Sequence, residues 1–89
     1  MANRNEAKPW RAQIQFREND KHRNIYIGTF AREEDAARAF DRVNIAKLGH
    51  TEAKTNYPAA EYQAEWAGLE ALGVDAAASR ERQRTRGQL

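Results

Sequence analysis

The sequence predicts an α+β fold, in which a small antiparallel sheet of two strands packs on one amphipathic helix and a further helix follows toward the C-terminus. Apolar and polar residues alternate strictly over residues 10–17, and a second run rich in β-branched and aromatic residues covers 23–30. Apolar residues then recur at steps of three and four over residues 31–48. With 89 residues and no cysteine, the chain has room for one small domain stabilised by an ordinary apolar core.

The two strands predict an antiparallel hairpin that follows a flexible N-terminal arm, residues 1–9. The arm is polar and ends in a proline, and residues 18–22 between the strands have the composition of a loop. In the second strand Ile25 and Ile27 point to one side. When the apolar sides of both strands face inward, one outer surface carries Arg11, Gln13, Gln15, Arg17, Asn24 and Tyr26.

This polar surface is the most specific pattern in the chain. An arginine can pair bidentately with guanine and a glutamine with adenine, and a β-ribbon is thin enough to enter the major groove of DNA. The alternative is a plain solvated sheet face, on which arginine and glutamine are also common. The aromatic side chain of Tyr26 on the same surface favours the binding interpretation.

Residues 31–48 predict the amphipathic helix that covers the sheet. Three acidic residues in its first turn suit the positive end of the helix dipole, and Gly49 follows its last turn as a stop signal. Its alanines allow a close approach to the sheet, and Phe40 is expected to fill the space between the two layers. The apolar positions are Ala36, Ala37, Phe40, Val43 and Ile45.

A second amphipathic helix is predicted over residues 59–73, opened by Pro58 and ended by Gly73. Tyr62, Trp66 and Leu69 share one side of it at helical spacing. The stripe either packs back on the first helix or serves as a docking surface for a protein partner.

Charge is segregated along the chain, although the net charge is only +2. Residues 1–30 carry six basic against three acidic residues, residues 57–78 carry four acidic and no basic residues, and residues 79–89 carry four arginines against one glutamate. Such segregation is typical of a protein with one surface that meets a polyanion. Residues 74–89 form the predicted Arg-rich tail: residues 75–78 can start another helical turn, and residues 79–89 are expected to be mobile, either solvated or acting as a nuclear import signal or a second nucleic-acid arm.

The residue types argue against an enzyme. The only serine, Ser79, lies in the predicted tail, where no base would be held against it. The two histidines, His22 and His50, have no ligand pair at helical or hairpin spacing, and no glycine-rich phosphate loop is present. We therefore expect no catalytic residues, no metal, no cofactor and no small-molecule substrate. No apolar run is long enough to predict a membrane span.

Four stretches in sequence order resemble the AP2/ERF DNA-binding domain of plant transcription factors. They are Trp-Arg-Ala-Gln-Ile at 10–14, Ile-Tyr-Ile-Gly-Thr-Phe at 25–30, Glu-Glu-Asp-Ala-Ala-Arg-Ala-Phe-Asp-Arg at 33–42, and Gly49 with Ala-Lys-Thr-Asn-Tyr-Pro at 53–58. The resemblance covers residues 10–58 and implies a sheet backed by one helix and laid in the major groove of double-stranded DNA. The family has three strands, and its first strand has no counterpart in residues 1–9, so two are expected here.

The resemblance implies sequence-specific DNA binding in transcription regulation, in the nucleus and without enzymatic activity. The predicted DNA-contacting residues are Arg11, Gln13, Gln15, Arg17, Arg23, Asn24 and Tyr26. With two strands instead of three, we expect modest and strongly salt-sensitive affinity. The alternative is a divergent AP2-like protein-interaction module that has lost base readout and uses Tyr62, Trp66 and Leu69.

Overall fold

The structure, a computed structural model, describes residues 10–87 and the side chains of residues 10–84, so the predicted arm of residues 1–9 lies outside it. The fold is α+β, as predicted: two antiparallel strands form one sheet, and helices cover one side of it. The elements in chain order are β1 Trp10–Glu18, β2 Lys21–Phe30, α1 Glu33–Leu48, a 3-10 helix Ala59–Glu65, α2 Trp66–Leu72 and α3 Val74–Gly87.

The hairpin turn is shorter than the five-residue loop that composition predicts. Only Asn19 and Asp20 connect the strands, with φ of 54° and 66°. Positive φ at both central residues is the geometry whose twist matches a two-residue hairpin, and Asn and Asp tolerate it better than most side chains. Lys21 and His22 therefore belong to β2, and Glu18 lies directly opposite Lys21.

A β-bulge in β2 sets which side chains face the core. Ala12 lies opposite Gly28 and Gln13 lies opposite Tyr26, so Ile27 is the extra residue. Ile27 and Gly28 are both buried, and the alternation resumes with Thr29 outward and Phe30 inward. A Cβ atom at Gly28 would lie 3.2 Å from the Phe30 ring and would require a shift of a few tenths of an ångström, and the φ of 158° at this position also favours glycine.

Helix α1 packs on the inner side of the hairpin, mainly through small and branched residues. Its first turn holds the three predicted acidic residues, and Gly49 ends it with φ of 88°. Phe40 is only half-buried, so it does not fill the layer alone as expected; Ala39 and Ala46 are buried as well. The core consists of Ala12, Ile14, Ile27, Phe30, Ala36, Ala39, Val43, Ile45, Ala46, Tyr62, Leu69, Ala77 and Ala78.

The segment predicted as one helix over residues 59–73 is divided into two. Residues 59–65 form a 3-10 helix that follows Pro58, and α2 begins only at Trp66. The break is consistent with the contacts of Tyr62, which is 1% exposed and donates a 2.6 Å hydrogen bond from its hydroxyl to Asp41 Oδ2 on α1. The tighter 3-10 turn carries this side chain to its buried partner.

The Arg-rich segment forms a packed helix, so the prediction of a mobile tail over residues 79–89 is wrong for its described part, and the helical turn expected at residues 75–78 belongs to a longer helix. Helix α3 runs from Val74 to Gly87 and contacts both β2 and α1. Ala77 and Ala78 are buried, and so is Glu81, which accepts a hydrogen bond from Arg42 Nη1 at 3.3 Å. The buried alanines and the buried ion pair hold this charged segment on the domain.

Candidate nucleic-acid interface

The side of the hairpin that faces away from the helices presents an aligned set of polar side chains, the outer face. Antiparallel register places Arg11 opposite Thr29, Gln13 opposite Tyr26, Gln15 opposite Asn24 and Arg17 opposite His22. All of these side chains are exposed except that of Thr29, which is half-buried. The outer face thus consists of Arg11, Gln13, Gln15, Arg17, His22, Asn24, Tyr26 and Thr29.

The outer face contains no acidic residue, and its two arginines keep their charge unneutralised. Within residues 10–84, neither Arg11 nor Arg17 has a carboxylate within 4.0 Å. By contrast, Arg23, Arg38 and Arg42 are each ion-paired to glutamates or aspartates. A surface with free guanidinium groups and amide side chains at strand spacing is suited to a ligand that offers both anions and hydrogen-bonding edges.

Tyr26 is held in place at the centre of the outer face. The Arg11 guanidinium lies 5.5 Å from the centroid of its ring, and its hydroxyl lies 3.2 Å from Thr29 Oγ1. The residue nevertheless remains 40% exposed. An exposed aromatic ring with a fixed orientation can pack against an apolar group of a ligand, such as a thymine methyl.

Six of the seven predicted DNA-contacting residues lie together on the outer face, and Arg23 does not. Arg23 lies opposite Phe16 in the register, and its guanidinium lies 5.6 Å from the centroid of that ring. Two of its nitrogens donate to Glu18 and to Asp75 of α3, each at 2.9 Å, and these hydrogen bonds raise the pKa of Arg23. Arg23 therefore connects the hairpin to α3, because alternation turns it to the opposite side from Asn24.

Two residues of the outer face, His22 and Thr29, were missed by the sequence prediction. Composition places residue 22 in the loop, and only the two-residue turn shows that it lies opposite Arg17. Thr29 would face inward in an unbroken alternation, and the bulge at Ile27 turns it outward. The Asn-Asp pair at 19–20 was the available signal for the short turn, since both residues tolerate positive φ.

The predicted docking stripe on the second helical segment lies mostly inside the domain. Tyr62 and Leu69 are 1% and 2% exposed, so neither side chain is available at the surface for a partner. Trp66 is half-buried, its ring stacks on His50 at a centroid distance of 3.9 Å, and its Nε1 donates to the carbonyl of Ala59. The stripe packs on the domain itself, the other of the two possibilities that the sequence left open.

Two open grooves border the hairpin. One, of about 250 Å³, lies between β1 and the first turns of α1 beside Arg11 and Glu33, and the other, of about 260 Å³, lies beside Phe16 and Lys47. Among residues 10–84, no group of three or more histidine, aspartate or glutamate side chains is placed to hold a metal ion. None of the helices in the described part of the chain is long and apolar enough to cross a bilayer.

Comparison of the chain with protein-family models finds no match, and comparison with curated protein sequences finds none either. The resemblance to the AP2/ERF domain therefore depends on the residues of this chain alone. The structural feature that corresponds to this resemblance is the outer face, a hairpin surface with two free arginines, three side-chain amides and a fixed tyrosine.

Proposed function

We propose that this protein binds double-stranded DNA in a sequence-specific manner and acts in transcription regulation, with the outer face of the hairpin in the major groove. One observation carries the proposal: the outer face is an exposed surface without acidic residues, on which arginine, glutamine and asparagine side chains lie side by side in register. A solvated sheet face has no reason to lack carboxylates, whereas contact with a polyanion disfavours them.

The dimensions of the hairpin suit the major groove. Two paired strands lie about 5 Å apart, and the groove is about 12 Å wide, so a two-stranded ribbon enters it with its side chains extended. Arg11 and Arg17 are six residues apart on β1, which corresponds to roughly 20 Å of strand. At about 3.4 Å per base pair, the two guanidinium groups bracket a site of about six base pairs.

The side chains divide into two chemical roles. Gln13, Gln15 and Asn24 lie between the two arginines, and each amide can donate to and accept from one base edge, as adenine requires. Arg11 and Arg17 can each pair bidentately with a guanine or bind a phosphate. The helices on the other side of the hairpin support this arrangement, because Ala12 and Ile14, between the three outward residues Arg11, Gln13 and Gln15, are anchored in the core.

The resemblance to the AP2/ERF domain supports the biological part of the proposal. A DNA-binding domain of that family would act in the nucleus of a plant cell as part of a transcription factor. The two exposed arginines of a two-stranded face provide few phosphate contacts, so the proposal includes modest affinity and, at about 0.9 of salt slope per contact, a shallower salt dependence than the strong one expected from the sequence.

The experiment is a selection from duplexes with a randomised core, followed by fluorescence-anisotropy titration of the enriched sequence. We expect Arg11→Ala to weaken binding by about 5- to 150-fold, the effect of losing one bidentate base contact. Arg11→Lys keeps the charge and loses the fork geometry, so it should relax the base preference more than it weakens binding. Arg80→Ala is the control, because Arg80 is an exposed arginine on α3, outside the outer face.

Three outcomes contradict the proposal. One is the absence of binding to any duplex at low salt. Another is an equal loss of affinity in the Arg11→Ala and Arg80→Ala variants, which would exclude the outer face as the specific contact surface. The third is equal affinity for double-stranded RNA of the same sequence, whose deep and narrow major groove does not admit a ribbon.

A further inference from the structure

Helix α3 brings one arginine to the border of the outer face. The guanidinium of Arg82 donates a hydrogen bond from Nη1 to the main-chain carbonyl of Tyr26, at the surface of the molecule. Its aliphatic stem passes close to Gly28, where an added Cβ atom would lie 3.8 Å from Arg82 Cγ. The charged end of Arg82 is thereby fixed beside β2, next to the residue that carries the aromatic ring of the outer face.

The charge of Arg82 is not neutralised by the residues around it. Among residues 10–84, no carboxylate lies within 4.0 Å of its guanidinium, whereas its neighbour Arg84 lies 3.7 Å from Glu81. The carboxylate of Asp75, also on α3, is paired with Arg23. Arg82 uses one nitrogen for the Tyr26 carbonyl, and a guanidinium has five N–H donors, so further donors remain for an external acceptor.

We propose that Arg82 binds a phosphate of the DNA strand that borders the groove, so that α3 is part of the DNA-binding surface. The inference rests on the proposed function, since it requires the hairpin to lie in the major groove. A side chain beside β2 rather than on the outer face meets the sugar-phosphate wall of that groove, not the base edges. The contact would add affinity and fix the position of the hairpin without reading sequence.

The same helix offers a matched control. Arg80 precedes Arg82 by two residues, which places it about 200° around the helix, on the side away from β2. Its side chain is exposed and has no ion pair within the described residues. Arg80 and Arg82 therefore carry the same charge on the same helix but differ in whether they reach β2.

The test is the salt dependence of binding to the selected duplex, measured for the full chain and its variants. Arg82→Ala should lower the slope of log K against log salt concentration by about 0.9, the value for one phosphate contact, and should weaken binding to all duplexes to a similar degree. Arg80→Ala should leave both quantities unchanged. Arg82→Lys keeps the charge and should retain most of the slope, and Arg82→Gln keeps the stem and should lose it.

The outcomes separate this inference from the proposed function. If Arg11→Ala weakens binding but Arg82→Ala and Arg82→Gln change neither affinity nor slope, only the phosphate contact is wrong. If Arg82→Ala weakens binding with an unchanged slope, or alters the preferred sequence, Arg82 acts by supporting Tyr26 and the phosphate contact is also wrong. If Arg11→Ala has no effect either, the hairpin is not the DNA-binding surface and the proposed function is wrong.

Discussion

At the scale of single residues, Asp41 contributes most to holding the long connection after α1. Its side chain is 0% exposed, and its two oxygens accept hydrogen bonds from the main-chain N–H groups of Asn56 and Tyr57, from Asn56 Nδ2 and from the Tyr62 hydroxyl. Burial, together with the bond to Asp41, raises the pKa of Tyr62 well above its usual value. One buried carboxylate thus fixes residues 56–62 against α1.

We expect Asp41→Asn to lower the free energy of unfolding by about 3 kcal/mol, because the new amide presents its own donors to the part-buried N–H groups or the buried Tyr62 hydroxyl and leaves them unsatisfied at about 1–3 kcal/mol each. Urea denaturation followed by circular dichroism measures the loss. Asp20→Asn is the matched control: it is exposed in the turn, where asparagine also tolerates positive φ, and should change stability by less than about 0.5 kcal/mol. Similar losses in both variants would show that Asp41 does not have this role.

At the scale of elements, α2 is attached to the end of α1 through Glu70. Glu70 Oε2 accepts a hydrogen bond from the main-chain N–H of His50 at 2.8 Å and lies 2.7 Å from His50 Nδ1. The His50 ring stacks in turn on Trp66 at the start of α2. Both hydrogen bonds to His50 lower the pKa of Glu70, and the bond to the His50 side chain has the larger effect.

A lowered carboxyl pKa in the folded state contributes stability above the unfolded pKa, and this contribution is lost as pH falls through the folded value. Wild type should therefore be more stable than Glu70→Gln at pH 7, and the difference should shrink once pH falls below the ordinary glutamate pKa of about 4.3 and disappear as pH falls through the lower folded pKa. Urea midpoints at several pH values measure this. Glu52→Gln, an exposed glutamate in the turn after α1, should show no such dependence, and a constant Glu70→Gln difference across pH would contradict the role of the Glu70 carboxylate.

The elements that sequence predicts well are those with local patterns. Alternation at Ile14 and neighbouring residues locates β1, and the acidic first turn with Gly49 bounds α1, so the fold class is confirmed. Patterns fail where the decisive partner is distant in sequence. Glu81 is a charged residue of α3, and charged residues are normally exposed. It is buried because it pairs with Arg42, which lies 39 residues away in the sequence. Alternation predicts the exposed positions of six outer-face residues. The same alternation turns Arg23 inward, so its prediction as a DNA-contacting residue is inconsistent with the pattern itself.

At the scale of the whole molecule, the helices lie on one side of the hairpin, and none of residues 31–84 covers the outer face. Helix α3 contacts β2 and α1, and Glu81 connects it to Arg42. Burial raises the pKa of Glu81, and the nearby Arg42 and Arg84 act in the opposite direction. Helix α3 is thus packed as part of the domain, although the resemblance to the AP2/ERF domain ends at residue 58.

We expect Ala78→Asp to destabilise the protein by about 3–5 kcal/mol, because it places an uncompensated charge at a position with 0% exposure. The exposed Ala76→Asp, in the first turns of the same helix, should cost less than about 0.5 kcal/mol. Limited trypsin digestion provides the specific readout: cleavage after Arg80, Arg82 and Arg84 should be slow in wild type and in Ala76→Asp and rapid in Ala78→Asp. Rapid cleavage in all three would mean that α3 is not packed.

The bulge at Ile27 has a consequence for how this hairpin tolerates changes in length. Successive side chains of a strand point to alternate sides of the sheet, so a residue's direction depends on whether its position is odd or even. The extra residue in the bulge shifts this alternation by one position between Tyr26 and Thr29. Deleting Ile27 or Gly28 would remove the extra residue and leave Tyr26 outward and Phe30 inward in a uniform alternation, whereas pairing all the residues without a bulge would turn Phe30 out to solvent. Homologous hairpins that keep both an outward aromatic and an inward phenylalanine at these places should therefore have either three residues between them with a bulge or two residues without one.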